Sequence, residues 1–461
     1  MTLKLTKQLM LCAFVLLSAL SVSAQTQPRL QPGYFWKKLP NGLEVVVIEN
    51  HKVPLATIEI AVKNGAYTEG PEYSGLSHLF EHMFFKANKD FPTQEKLLHR
   101  IQELGAIFNG TTDVERVNYF FTFNADSLKG GLNFLNSCIR FPIYRAEDMA
   151  KERPVVDGEF QRAESDPGFL LSYETSKYLW GDQITRKNAI GIHEIINTAT
   201  PEKMMIIKDK YYYPNNSLLT ICGDVEHEKA FKLAESIFGS WQSSGFDPHV
   251  KYPIPPFEPV KKSVAFVKES SIAQTPYMNF SWQGPSYAKD SAATLAADVF
   301  NRIMALNSSK FRQALVDKRL AVSAGVSYGT THYTGEISMF VVPNPEKMKE
   351  CFDEVNNQIA QWTSADYFTD EQLSDAIAAL VRAQSRAKEK PSSLNSQLSY
   401  AWCSESFAYD TDLADNYKKV TRADIKRYVD TYIAGKPLVS GIILKPEVNK
   451  QYNVASFFVA K

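Results

Sequence analysis

Along the chain, short stretches of alternating or continuous apolar residues alternate with longer stretches whose apolar positions recur every three to four residues. The first pattern predicts strands and the second helices. Residues 43–49 and 56–63 read as strands, and a short loop then leads into a helix around positions 78–82. A helix over 94–104, a strand pair at 106–109 and 118–124, and a helix over 126–138 come next. A helical region at 146–164 and a long helix carrying Ser172-Tyr173 follow, and a helix and a strand at 218–222 close the series.

The order then returns. Strands at 263–268 and 275–282 precede a helix at 292–304, a shorter helix at 310–317, and strands at 323–328 and 335–342. A helix at 346–362, a long helix carrying Ser399-Tyr400 and a last strand at 439–444 complete it. Between the two series, residues 241–259 contain five prolines and Gly245, which cannot continue a helix or a central strand. The pattern predicts an internal duplication. The expected fold class is α+β: two homologous domains, each a mostly antiparallel sheet covered by helices. The expected units are residues 30–245 and 262–461, joined by a linker at 246–261.

The first residues break the pattern. Lys4 and Lys7 precede an apolar run over 9–22, and Val22-Ser23-Ala24 follows. This is the form of a cleavable secretory signal over 1–24, with cleavage after Ala24. The reading predicts an exported, periplasmic protein without stable membrane insertion. Lys plus Arg number 51 and Asp plus Glu 51, so the balanced charge gives no basis for a nucleic-acid partner. Beyond Cys12, cysteines at 138, 222, 351 and 403 form no C-x-x-C pair, and buried free thiols are expected.

Candidate chemistry lies in His78-Leu79-Phe80-Glu81-His82. On a helix, residues three and four apart share a face. Both imidazoles therefore reach one metal ion with a carboxylate beside them, the H-x-x-E-H arrangement. Two histidines are an incomplete zinc site, and a catalytic one takes a third protein ligand and leaves a position for water. Glu152 and Glu159, seven apart on one helical face, are both candidates. Aligning Leu79-Phe80 on Val299-Phe300 puts Asp298, Asn301 and Arg302 where His78, Glu81 and His82 stand. The second copy keeps the helix and lacks the ligands.

With the E-x6-E pair and the duplicated α+β plan, the sequence resembles the pitrilysin/insulinase family of inverted-zincin metallopeptidases. Three further segments carry the resemblance: Gly105-Ala106-Ile107-Phe108-Asn109-Gly110-Thr111-Thr112 with Tyr119, Lys151 to Glu159, and Tyr213-Pro214-Asn215-Asn216 through Val225. The resemblance implies one zinc per chain, held by His78, His82 and Glu159. It also implies catalysis by Glu81 as general base, with Glu152 supporting the site. Peptide substrates would add as a strand along Asn109, Gly110 and Thr111. The alternative for Asn109 is a turn residue before Gly110. Pro154 and Gly158 interrupt the glutamate region, so the helix is expected either to start near Glu152 or to bend between the glutamates.

The second departure concerns a partner. Active relatives carry an Arg and a Tyr in the second half; here Val316 and Val322 occupy those places, with Arg312, Arg319 and Tyr328 nearby. The resemblance therefore implies a heterodimer with a homologous chain that lacks H-x-x-E-H and supplies Arg and Tyr; the alternative is a homodimer. A competing reading is a non-catalytic peptide-binding or assembly subunit. A third is a zinc-sequestering protein.

Overall fold

The computed structural model describes residues 27–387 and 391–459; the expected signal segment and its cleavage point lie outside them. Strands β1 (Tyr34–Lys38), β2 (Glu44–Glu49), β3 (Leu55–Val62), β4 (Ile107–Thr112), β5 (Val117–Asn124) and β6 (Ser217–Gly223) form a sheet ordered β1-β2-β6-β3-β5-β4. Strands β7 (Val264–Glu269), β8 (Tyr277–Gln283), β9 (Ala321–Tyr328), β10 (Glu336–Pro343) and β11 (Val439–Leu444) form a second sheet, β7-β11-β8-β10-β9. In each, one neighbouring pair is parallel (β2 with β6, β7 with β11) and the remaining pairs are antiparallel.

The added strand of the first sheet is β1. Its Tyr-Phe-Trp-Lys-Lys has no alternation, because it is an edge strand whose rings serve different neighbours. Phe35 stacks on His227 at 3.6 Å, and Trp36 Nε1 donates to Glu44. The connector is also more ordered than a linker. Trp241 is buried in the first core, residues Pro248–Lys251 form one helical turn capped by Asp247, and Phe257 packs on Tyr67 and Trp180.

Five helices organise the site and the seam: α1 (Leu76–Phe84), α2 (Ala146–Glu164), α3 (Pro167–Trp180), α4 (Tyr287–Met304) and α5 (Pro391–Ser404). α1 packs on β4 and β5 by Leu76, Leu79, Phe80, Met83 and Phe84, the apolar face that leaves His78 and His82 turned away from the core. α3 and α5 are exchanged between the halves. α5, from the second half, lays Leu394, Leu398 and Trp402 on Val46, Ile48 and Leu218 of the first sheet. α3, from the first half, places Leu171 and Leu179 against Phe266, Val439 and Ile443 of the second. Each fully buried leucine of this kind contributes about 1.5–3 kcal/mol. The sheets are thus covered on both faces, which is why β2, β3 and β6 read as near-continuous apolar runs.

The repeated Ser-Tyr pair marks this seam on one side. Ser399 of α5 donates to Glu59 of β3 and accepts from Arg116, and Tyr400 donates to the Thr330 carbonyl at 2.6 Å. Cys138, Cys222, Cys351 and Cys403 are free and buried, as expected. Among the described residues, no helix is long and apolar enough to cross a membrane.

Candidate metal centre

α1 starts at Gly75, whose φ of +85° favours glycine, and it is capped from outside. The buried carboxylate of Glu69 accepts from the backbone N–H of Gly75 at 2.7 Å and of Ser77 at 2.6 Å. One turn on, His78 and His82 stand with ring centroids 4.8 Å apart and planes at 84°. α2 brings Glu159 to them: its Oε2 lies 3.4 Å from His78 Nε2 and 3.6 Å from His82 Nε2. A tetrahedral zinc with bonds of about 2.0–2.1 Å sets its ligand atoms about 3.3 Å apart. The three side chains fit that ion. Among the described residues they are the group of metal-binding type whose ligand atoms converge, all within 4.8 Å of one another.

The histidines are held differently. His82 Nδ1 lies 2.9 Å from Glu152 Oε1, and the other Glu152 oxygen pairs with Lys86, so Nε2 is turned toward Glu159. A carboxylate on the far ring nitrogen is the usual device for orienting a metal-binding histidine. Among the described residues, His78 Nδ1 is buried without a hydrogen-bond partner, so no carboxylate orients that ring from its far nitrogen. Burial, with His82 beside it, pushes the His78 pKa down to about 4, leaving a neutral imidazole with its lone pair free. For His82 burial acts the same way, but Glu152, Glu159 and Glu81 outweigh it and raise the pKa.

Glu81 shares the cavity with these groups but is directed at strand β4. Thr112 Oγ1 donates to its Oε2 at 2.8 Å. Burial raises its pKa, partly offset by Thr112 and His82. Gly110 faces it directly: a Cβ there would stand 2.7 Å from Glu81 Cγ. Asn109 is therefore a strand residue and not a turn residue. Asn109, Gly110 and Thr111 all line the cavity. The side chains of Asn109 and Thr111 leave the strand on the face opposite Gly110, however, and Thr111 donates to Asn118. Among the described residues β4 pairs only with β5, and its other edge carries no strand.

The glutamate helix does not start near Glu152. It runs from Ala146 to Glu164 through Pro154. Pro154 cannot donate to the Ala150 carbonyl, but the helix continues on both sides, held from outside by Arg153, whose guanidinium donates to the carbonyls of Asn197 and Ala199. Glu152 and Glu159 thus share one face, and Glu152 orients His82 without entering the ligand set. Thr112, Lys86 and Glu69 complete the site and were not singled out in the sequence. Thr112 was accessible at strand spacing from Gly110, whereas nothing local marks Glu69.

In the second half α4 occupies the place of α1. Asp298 there is half-buried and accepts from Tyr417 at 2.8 Å, and Asn301 Oδ1 is buried and has no hydrogen-bond partner among the described residues. Tyr328 is buried and donates to the Pro285 carbonyl at 3.0 Å, while Val322 is 70% exposed on the edge strand β9.

The duplicated α+β scaffold thus carries one convergent His/His/Glu set among its described residues. Insulinase (peptidase family M16) matches residues 44–183, and the peptidase M16 inactive domain matches residues 198–380. The chain belongs to this pitrilysin/insulinase family. An uncharacterized zinc protease of Rickettsia felis is 30% identical over 203 residues, 44% of this chain and 49% of that protein. The chain thus spans about half the length of the relatives it first matches. A protease from Helicobacter pylori has the same fold, with a TM-score of 0.78 at 19% identity, over 91% of this chain and all of that one. The periplasmic protease PqqL from Escherichia coli gives 0.72 at 15% identity, over 92% of this chain and 49% of that one.

Proposed function

We propose that the protein is an exported zinc metalloendopeptidase acting on peptides or unfolded segments. The observation that carries this is the approach of His78 Nε2, His82 Nε2 and Glu159 Oε2 to zinc-ligand spacing, with Glu81 in the same cavity. Zinc, when bound, supplies Lewis acidity to the scissile carbonyl and acidifies the attacking water. The chain's residues do the rest. The open edge of β4 pairs with the main chain of an extended peptide and lays the bond beside Glu81. Glu81, held by Thr112, takes the proton of the attacking water and delivers it to the leaving amine. Glu152 keeps His82 in the tautomer that leaves Nε2 free.

Export rests on the signal-like N-terminus and on the fold shared with a periplasmic protease. The partner proposal is a homologous chain that lacks H-x-x-E-H and supplies Arg and Tyr. The burial of Tyr328 and the valines at 316 and 322 support it.

The test is cleavage of a quenched peptide library by the purified chain, alone and with such a partner, against Glu81→Gln. Removing the base should lower kcat by about 10²–10⁴-fold while one zinc stays bound. Equal turnover by the variant would exclude Glu81 as the base. Zinc binding without turnover in any combination would favour a non-catalytic subunit.

A further inference from the structure

Residues 186–199 cross the metal centre from behind as a strap. At its start, Arg186 donates to the Tyr67 carbonyl, and Lys187 donates to Tyr67 Oη at 2.6 Å and to the Thr334 carbonyl of the second half. Its middle touches α1 backbone to backbone. A Cβ on Gly191 would fall 2.4 Å from Gly75 Cα, and one on Gly75 would fall 2.7 Å from Gly191 Cα. Both glycines have positive φ, so the crossing takes no other residue without displacing the start of the histidine helix.

Two residues on, the strap grips α2. His193 Nδ1 lies 2.5 Å from Asp157 Oδ1 and Nε2 lies 3.1 Å from Glu164 Oε2, while the ring stacks on Phe160 at 4.0 Å. These three contacts flank Glu159 on its own helix, two residues before, one after and five after. Asn197 adds a bond to Asp157 at 3.0 Å. Glu159 itself is 36% exposed, and among the described residues its side chain has no hydrogen-bond or ion-pair partner besides the two histidines. Its placement therefore depends on how the helix is set.

We infer that His193 is a positioning residue for the metal centre, fixing the α2 turn that presents Glu159 to the two histidines. The inference rests on the metallopeptidase reading above, but its measurement is metal binding and not turnover. Freeing the turn costs the third ligand its preorganisation, which weakens the metal without removing a ligand. Partners one step beyond a ligand typically change metal affinity by about 10–100-fold.

The experiment uses the full mature chain. Zinc affinity is measured by chelator competition, and the cobalt-substituted absorption spectrum reports ligand geometry. His193→Ala should bind zinc about tenfold more weakly. Its cobalt spectrum should change, and His193→Gln, which keeps a donor for Asp157, should recover part of both. His99→Ala, an exposed histidine far along the sequence from the strap, should match wild type and controls for adventitious binding. Asp157→Asn carries the same expectation where His193→Ala does not fold. Wild-type affinity and spectrum in the His193 variants would overturn the inference alone. A wild-type chain that binds no zinc would overturn the metallopeptidase reading, and this inference with it.

Discussion

Gly110 shows how much of the site is set by what is missing from a side chain. Its backbone position is ordinary, yet any Cβ would press into Glu81. Gly110→Ala should leave zinc content at wild-type level and lower kcat on the order of 10²-fold, because a displaced base is a mispositioned catalyst. Metal analysis and peptide kinetics on one preparation decide it, and wild-type kcat would show that Glu81 adjusts freely. At this scale the sequence was most informative. His78, Glu81 and His82 follow from helical spacing alone. Glu152 and Glu159 were equivalent by spacing and only the family resemblance ranked them; the folded geometry agrees with that ranking, since Glu159 Oε2 stands by both imidazole Nε2 atoms while Glu152 is consumed by His82 Nδ1 and Lys86.

Among elements, the apolar strands and the histidine helix were legible because their patterns are local. The edge strand β1 was not, since its aromatic residues answer to different neighbours, Phe35 to His227 far along the chain and Trp36 to Glu44 on the next strand. The helix at 310–317 was expected as regular, whereas it is one α-turn followed by a wide π-turn over Gln313–Asp317 that ends at Arg319 with φ +58°. Helix α4 carries a testable relic of the duplication. Burial pushes the Asp298 carboxyl from an ordinary 3.8 up to about 7. A folded value above the unfolded one means the folded state keeps a proton that the unfolded chain releases. The associated stability is therefore whole below about pH 4 and is lost as pH rises to about 7. Asp298→Asn, which still accepts from Tyr417, should remove that loss. Its Tm should exceed wild type by about 2–4 °C at pH 8, with the gap closing toward pH 4. Parallel melts at the two pH values test this, and equal Tm at pH 8 would show that the carboxyl carries no burial cost.

For the whole molecule, the duplication was readable but the exchange of α3 and α5 was not. Nothing in the apolar pattern of a helix says which of two similar sheets it will cover. The exchange predicts the behaviour of the separated halves. Residues 25–245 alone would expose Val46, Ile48 and Leu218, and residues 246–461 alone would expose Phe266, Val439 and Ile443. Each should be insoluble when expressed singly, and the pair should form a soluble complex when expressed together. A first half that is soluble and monomeric by itself would refute the claim that the seam is part of its core.

The same seam sets a clock on biosynthesis. Asn395 donates to the Thr57 carbonyl across 338 residues, and Ser399 reaches Glu59 across 340. At about 5–20 residues per second, the strands of the first sheet exist for roughly 20–70 s before the helix that covers them has been made. Once residue 245 has been made, the zinc-ligand half is a complete sequence with an incomplete interior until α5 follows. A ribosome that stalls late in the gene leaves behind a sticky nascent chain, not a half-finished fold.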